Sequence, residues 1–138
     1  MSIEHEVSYG GVVVRDDQVM VIVPRGRRRV LGLPKGGRNA GESPEETAAR
    51  EVREETGIVA RVRDRLGQVD YSYRRGGRTI DKTVHFYLCE FEGGDTADHD
   101  HEVDDARWMP LEEARRRLSY PGERAMIARA LSILAANG

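Results

Sequence analysis

Residues 36–58 read GGRNAGESPEETAAREVREETGI, and they contain the strongest pattern in the chain. Glu51, Glu54 and Glu55 are spaced i, i+3, i+4, a spacing that places three side chains on one face of an α-helix. Carboxylates held this close repel one another. A bound divalent cation compensates this repulsion, because hard cations prefer carboxylate oxygens. The alternative is an acidic helix face in contact with solvent, which is common in charge-rich helices.

Local signals indicate where this helix begins and ends. Ser43 is a good N-cap, Pro44 suits the first helical position, and Glu46 completes a Ser-x-x-Glu capping box. Gly57 suits the position after the last helical turn, where a left-handed conformation is common. We therefore expect a helix that begins after Ser43, ends before Gly57 and carries the three glutamates on one face.

The spacing of the whole stretch resembles the Nudix box, the signature of hydrolases that act on nucleoside diphosphates linked to another group. It runs Gly36, five residues, Glu42, seven residues, and then REVREETGI at residues 50–58. All seven fixed positions match, and Val52 and Ile58 fill the two aliphatic positions. Because a chance match to so long a pattern is rare, the resemblance favours a metal-binding helix face over a solvated one.

The resemblance implies an α/β fold, the Nudix α/β/α sandwich, in which a mixed sheet lies between helices and the box forms a loop–helix–loop. The predicted elements agree, since strands flank the central helix and two helices follow them, which makes a sheet covered on both faces the simplest arrangement. The length of 138 residues predicts a single domain, residues 1–138. We expect strands at 7–15, 19–23, 59–69, 82–91 and 106–109, a short helix at 111–118, and a final helix that buries Ile127, Ala130, Leu131 and Leu134.

The resemblance also implies a chemistry and a set of site residues. Mg²⁺, with Mn²⁺ as the alternative, would be held by Glu51, Glu54, Glu55 and the backbone carbonyl of Gly36. Such cations neutralise the phosphates of a pyrophosphate linkage and lower the pKa of a bound water. Glu54 is the candidate base that takes the proton of this water. Arg50 is expected to pair with a carboxylate of the box and to fix its orientation.

Two further acidic residues are candidates for the same site. The segment EVDDARW, residues 102–108, resembles the family segment that brings an acidic loop residue to the metal. This similarity makes Glu102 a candidate metal ligand or base, and Glu42 either binds a metal or supports the loop. Residues 98–101 of the same loop alternate aspartate and histidine, a composition that would suit a transition metal, although acidic loops are more often solvated.

Several segments point to the substrate. Residues 33–36 (LPKG) and 82–85 (KTVH) are similar to segments of the dinucleoside polyphosphate hydrolases of this superfamily, and Tyr120 lies where that subgroup often has an aromatic residue that stacks on a base. The basic run at 25–29 is either a solvated turn or a phosphate contact, since arginine binds phosphate through two hydrogen bonds. The candidate substrate-binding residues are Lys35, Lys82, His85, Tyr120 and Arg25.

These segments leave four functional alternatives. The first is hydrolysis of a dinucleoside polyphosphate such as diadenosine tetraphosphate, although the chain has Leu31, Gly37 and Asn39 where that subgroup usually has Trp, His and Glu. The second is MutT-like hydrolysis of an ordinary or oxidised nucleoside triphosphate. The third is hydrolysis of a diphosphoinositol polyphosphate, which the basic run would suit. The fourth is a non-catalytic nucleotide-binding Nudix domain, a state that usually involves loss of a box carboxylate.

Composition argues against other classes of protein. The net charge of −2 gives no basic excess for binding a nucleic acid polymer. Cys89 is the only cysteine, which excludes an internal disulfide and fits a cytoplasmic location. No apolar run reaches the length of a membrane span, and no signal-peptide core is present. We therefore expect a cytoplasmic enzyme with a small nucleotide substrate and no membrane partner. The sequence leaves monomer and homodimer open.

Overall fold

The computed structural model describes residues 3–137, and a mixed sheet forms its centre. The strands are β1 (Ile3–Arg15), β2 (Gln18–Pro24), β3 (Lys35–Gly37), β4 (Ile58–Arg75), β5 (Arg78–Gly94) and β6 (Val103–Pro110). The helices are α1 (Pro44–Thr56), α2 (Leu111–Arg117) and α3 (Pro121–Asn137), with a 3₁₀ turn at Thr96–Asp98. The strand order is β4-β5-β1-β2-β6, and β3 pairs with β1. Strands β1 and β5 are parallel, and the other pairs are antiparallel.

Successive side chains of each strand point to opposite faces of the sheet, and each face carries its own buried cluster. One cluster packs under α2 and α3 and includes Val12, Leu33 and Phe86. The other includes Val13 of β1 and packs against Val52 of α1. Helices therefore cover both faces, which confirms the predicted α/β/α sandwich. No helix among residues 3–137 is both long and apolar enough to cross a lipid bilayer. The single-domain organisation of residues 1–138 stays a prediction.

The ends of α1 follow the predicted capping pattern. The backbone N–H of Glu46 donates to Ser43 Oγ at 3.1 Å, and that of Ser43 donates to Glu46 Oε1 at 2.9 Å. Gly57 has φ 76° and ψ 0°, and its N–H donates to the Arg53 carbonyl oxygen at 2.8 Å. These contacts satisfy backbone groups that a helix leaves free at its ends. They define the bounds of the helix that carries the three glutamates.

The hairpin of β4 and β5 is longer than predicted. Pairing continues to Arg75 and Arg78, and Gly76 and Gly77 form the turn with φ values of 56° and 77°. Two residues with positive φ are typical of a tight hairpin turn. Three shifts of register along β4 interrupt its alternation of buried and exposed residues. The sequence pattern therefore revealed only part of this strand.

The close approach of Asp95 to Gly57, at the C-terminal end of α1, gives a stability prediction. A Cβ at Gly57 would overlap the carbonyl oxygen of Asp95, whereas a Cβ at Gly26, whose φ is 72°, would have no atom within 4 Å. We expect Gly26→Ala to lower the free energy of unfolding by about 1 kcal/mol through backbone strain alone. Gly57→Ala should lower it by roughly 3 kcal/mol, because the clash adds to the strain.

Urea unfolding of both variants, followed by circular dichroism, measures this difference. Equal losses would mean that Asp95 moves away without resistance and that only the left-handed conformation matters.

Candidate active site

Arg50 lies at the centre of the carboxylates that line α1. Its Nε donates to Glu42 Oε2 at 2.7 Å, and its Nη1 donates to Glu51 Oε1 at 2.6 Å and to Glu54 Oε2 at 3.1 Å. Its Nη2 donates to the Gly37 carbonyl oxygen at 2.7 Å. One guanidinium thus joins three carboxylates to the loop before the helix, with its side chain only 22% exposed.

The Arg50 pairing changes the ionisation of its partners. The hydrogen bond from Arg50, together with that from the Asn39 N–H, lowers the pKa of Glu42 to about 2. The pKa of Arg50 is raised, mainly by the same contact with Glu42. Glu42 is therefore a carboxylate at any pH near neutrality. Its second oxygen, Oε1, also accepts from Thr47 Oγ1 at 3.1 Å, so Glu42 links the loop before the helix to α1.

Two carboxyl groups of α1 are buried against β3. Glu51 is 8% exposed and Glu55 is 9% exposed. The backbone N–H of Lys35 donates to Glu55 Oε1 at 3.0 Å. Burial raises the pKa of Glu55 to about 8 and also raises the pKa of Glu51. Buried carboxylates of this kind require nearby positive charge to remain ionised.

The backbone of Gly36 lies directly against the Glu51 carboxylate. A Cβ at position 36 would overlap Glu51 Oε2, so only glycine leaves room for this approach. Carboxylate and backbone carbonyl oxygens are the donors that Mg²⁺ and Mn²⁺ prefer. Glu51, Glu54, Glu55 and Gly36 thus offer oxygen donors of the right type, and their role as ligands of a divalent cation stays a prediction.

The side chains are not yet arranged around such a cation. Among residues 3–137, no group of three or more His, Cys, Asp or Glu side chains has a metal-holding arrangement. In the structure, Arg50 donates to Glu51 and Glu54, and the Lys35 N–H donates to Glu55.

The acidic loop approaches α1 through Asp100. The Asp100 N–H donates to the Glu54 carbonyl oxygen at 2.8 Å, and the Asp100 charge contributes to the raised pKa of Glu55. Glu102, the residue predicted from the sequence, is exposed. Its N–H donates to Asp100 Oδ1 at 2.9 Å, and its carbonyl oxygen accepts from the Arg25 N–H at 3.0 Å. The structure thus brings Asp100 toward the box carboxylates, whereas metal ligation or base chemistry by Glu102 stays a prediction.

A cavity of about 790 Å³ lies on the opposite face of the sheet from α1. Its walls are formed by β4, β5 and the residues that begin α3, and they are largely aromatic and aliphatic. Lys35 also lines this cavity, although its backbone N–H contacts Glu55 on the side of α1. Strand β3 therefore connects the cavity to the carboxylates. The main apolar and aromatic lining residues are Val69, Tyr71, Tyr73, Val84, Phe86 and Tyr120.

Two of the predicted substrate-binding residues, Lys35 and Tyr120, line this cavity. Arg25 is not among the lining residues, whereas Arg27 of the same basic run is. Both residues belong to a turn whose backbone is hydrogen-bonded, from the Arg25 N–H to the Glu102 carbonyl oxygen at 3.0 Å and from the Arg27 N–H to the Pro24 carbonyl oxygen at 3.1 Å. The sequence identified the basic run but could not tell which of its side chains faces the cavity.

Lys82 and His85 lie on opposite faces of β5. Lys82 shares the face of Val84 and Phe86, which line the cavity, and its Nζ is 3.7 Å from Glu6 Oε1. Burial and the charge of Lys35 lower the pKa of Lys82. His85 stacks on Tyr9 with ring centroids 5.3 Å apart, on the face that α1 covers. Lys82 is thus near the cavity, and His85 points away from it.

The Arg50 contacts predict an effect on stability. Arg50→Gln would leave several partly buried carboxylates without a partner, so we expect it to lower the free energy of unfolding by about 3 kcal/mol. Added Mg²⁺ should recover more stability in this variant than in the unaltered protein, because the cation replaces the missing charge. Urea unfolding with and without Mg²⁺ measures both effects. Arg53→Gln, an exposed position on the same helix, is the matched control, and equal behaviour of the two variants would contradict this account.

Comparison with known sequences identifies a family and several relatives. A family profile described as NUDIX domain matches residues 4–130. The "Putative mutator protein MutT4" of Mycobacterium tuberculosis is 44% identical over 131 residues, which cover 88% of this chain and 53% of that protein. The "8-oxo-(d)GTP phosphatase" of Mycolicibacterium smegmatis is 36% identical over 122 residues, covering 88% of this chain and 36% of that protein. This chain thus spans about half the length of the first relative and about a third of the second.

Solved structures show the same fold. In "Crystal Structure of a C. elegans Ap4A Hydrolase Binary Complex", the matching chain has a TM-score of 0.77, with 21% identity over 95% of this chain and 98% of that chain. At this identity the similarity concerns the fold alone. The family profile covers nearly all of the described residues, and the box and the α/β/α sandwich agree with it. The chain therefore belongs to the Nudix family, as the pattern at residues 36–58 predicts.

Proposed function

We propose that this chain hydrolyses a pyrophosphate linkage of a nucleoside triphosphate. Mg²⁺ would lie at the carboxylates of α1, and the nucleobase of the substrate would lie in the cavity under α3. The observation that carries the proposal is the position of Lys35. Its backbone N–H holds Glu55, and the same residue lines the cavity. A phosphate chain that passes Lys35 would therefore connect a nucleobase in the cavity to the carboxylates of α1.

The cavity has the size and the walls that a nucleoside needs. Its volume of about 790 Å³ lies within the range of roughly 300–1,000 Å³ that is typical of small-molecule sites. Tyr71 is 43% exposed and Tyr120 is 37% exposed, so both rings have surface on which a base can stack. Lys35 and Arg27 add positive charge to a wall that is otherwise apolar. This combination suits an aromatic base attached to an anionic chain.

The residues of α1 have distinct tasks in this reaction. A divalent cation bound by Glu51, Glu54, Glu55 and the Gly36 carbonyl would neutralise phosphate charge and lower the pKa of a water ligand. The side chain of Glu54 is 46% exposed, compared with 10% for Glu51. Glu54 is therefore the carboxylate best placed to accept a proton from the attacking water. Arg50 orients Glu51 and Glu54 from the side.

The bond changes follow from this arrangement. The water oxygen would form a bond to phosphorus, the bridging P–O bond would break, and the water's proton would pass to the Glu54 carboxylate. A nucleoside triphosphate would give a nucleoside monophosphate and pyrophosphate. Lys35 and the cation would stabilise the negative charge that the leaving phosphate acquires.

A relative described as an 8-oxo-(d)GTP phosphatase supports a triphosphate substrate. Another relative is described as a putative mutator protein. We therefore place a nucleoside triphosphate, ordinary or oxidised, before the dinucleoside polyphosphate that the sequence segments favour. The walls of the cavity are too apolar for the highly charged ring of a diphosphoinositol polyphosphate, which we place last among the substrates.

A dinucleoside polyphosphate such as diadenosine tetraphosphate is the second candidate. The observation that favours it is Arg27, which lines the same cavity as Lys35. Two positively charged side chains at one cavity would suit a phosphate chain longer than that of a triphosphate. Departures from the subgroup at Leu31, Gly37 and Asn39 argue for the first candidate.

Product analysis tests the choice directly. The protein is incubated with Mg²⁺ and, separately, with the four ribonucleoside triphosphates, 8-oxo-dGTP and diadenosine tetraphosphate, and the products are separated by chromatography. Release of pyrophosphate from a triphosphate at the highest kcat/KM supports the proposal. Preferred cleavage of diadenosine tetraphosphate to ATP and AMP would replace it with the second candidate. Tight nucleotide binding without turnover of any substrate would indicate a non-catalytic domain.

The assignment of Glu54 gives a separate prediction. Glu54→Gln preserves the shape of the side chain but removes its basicity, so we expect kcat to fall by about 10²- to 10⁴-fold with little change in KM. Glu92→Gln, at an exposed position on β5, is the control and should keep full activity. Steady-state rates under saturating Mg²⁺ measure the effect. A Glu54→Gln protein with normal kcat would transfer the role of base to another carboxylate.

A further inference from the structure

Glu123 is a buried acidic residue that the reaction described above does not use. It is the third residue of α3 and is 3% exposed. A negative charge is favoured in the first turn of a helix, but a buried carboxylate is costly unless it is paired. No lysine or arginine within residues 3–137 forms an ion pair with it within 4 Å. Glu123 is also one of the residues that line the cavity.

Only one of the two carboxyl oxygens of Glu123 has a partner. Oε1 accepts from the Leu33 N–H at 3.0 Å, and Oε2 accepts no hydrogen bond from the described residues. Yet no fully buried side-chain oxygen among these residues lacks a partner. Oε2 must therefore be accessible, and because Glu123 lines the cavity, its free oxygen is available to whatever occupies that space.

We propose that Glu123 determines base specificity by accepting hydrogen bonds from the N1–H and N2–H₂ groups of a guanine-type base in the cavity. The inference rests on the proposed function, which places a base there. A guanine-type edge offers donors to the carboxylate, whereas adenine presents the acceptor N1 at the same position. A buried acceptor that is left unpaired penalises the wrong base strongly.

The alternative is that Glu123 only supports the Leu33 backbone. A single acceptor oxygen would be enough for that task, and glutamine would perform it equally well. A supporting role also predicts that substitution weakens all nucleotides alike. Base discrimination therefore separates the two explanations, because only a residue that contacts the base changes the ratio between two bases.

The charge of Glu123 makes this ratio depend on pH. Burial raises the pKa of Glu123 to about 7, against the opposing effects of Lys35 and of the Leu33 N–H. The ionised form, which accepts from guanine, is lost as pH falls through this value, and the protonated form can donate to adenine N1. The preference for guanine should therefore fall between pH 8 and pH 6. The other ionisable residues that line the cavity are Arg27, Lys35, Asp70, Tyr71, Tyr73 and Tyr120.

Calorimetric titration with GMP, IMP and AMP in the presence of Mg²⁺ tests the proposal without requiring turnover. We expect the unaltered protein to bind GMP more tightly than IMP, which lacks the N2 donors, and IMP more tightly than AMP. Glu123→Gln should reduce the GMP-to-AMP affinity ratio by about 10- to 100-fold, the range for a hydrogen bond to a charged group. Glu112→Gln, an exposed glutamate on α2, should leave the ratio unchanged.

The outcomes separate this inference from the proposed function. An unchanged GMP-to-AMP ratio in Glu123→Gln overturns the role of Glu123, whatever the hydrolysis assays give. Guanine-selective binding that Glu123→Gln abolishes supports the role even if no triphosphate is hydrolysed, in which case only the proposed reaction fails. If Glu123→Gln does not fold, the unaltered protein still decides: the ratio should fall about tenfold from pH 8 to pH 6, and a pH-independent ratio overturns the inference.

Discussion

The contact between one guanidinium and several carboxylates of α1 determines the shape of the candidate site. Arg50 reaches Glu42 in the preceding loop, Glu51 and Glu54 on its own helix, and the Gly37 carbonyl oxygen. Without this positive charge, the carboxylates would repel one another, and the loop would lose the contacts that Glu42 and the Gly37 carbonyl oxygen make with Arg50. Coulomb attraction at these distances is strengthened where water is partly excluded, as it is around Glu51. The loop–helix–loop is thus held by the same charges that suit it for a cation.

Strand β3 links the two faces of the sheet. It is only three residues long, yet Lys35 touches Glu55 through its backbone and lines the cavity on the opposite face, while Gly36 makes room for Glu51. Charge is concentrated on the α1 side and apolar surface on the α3 side. A substrate with an aromatic part and an anionic part matches this division, because each part meets the side that stabilises it.

The sequence predicted what local chemistry determines. Ser43 and Gly57 mark the ends of α1 because caps act within a few residues, and the box spacing identified the helix face. Features that depend on tertiary contacts were not visible in it. The approach of Asp100 to the carboxylates follows from a backbone hydrogen bond to Glu54, whereas the role of Glu102 stays a prediction. Likewise, the faces of Lys82 and His85 depend on strand register, which the motif at residues 82–85 does not reveal.

The position of Glu123 illustrates a general conflict between stability and specificity. A carboxyl group that is 3% exposed weakens a hydrophobic core, and an apolar side chain would pack there at less cost. A hydrogen bond to a base gains strength in the same surroundings, because little water competes for the acceptor. In our proposal, the burial that makes Glu123 unfavourable for stability would therefore make it selective toward a bound nucleobase. Selectivity of this kind would account for an acid at the start of α3, where the helix dipole already favours negative charge.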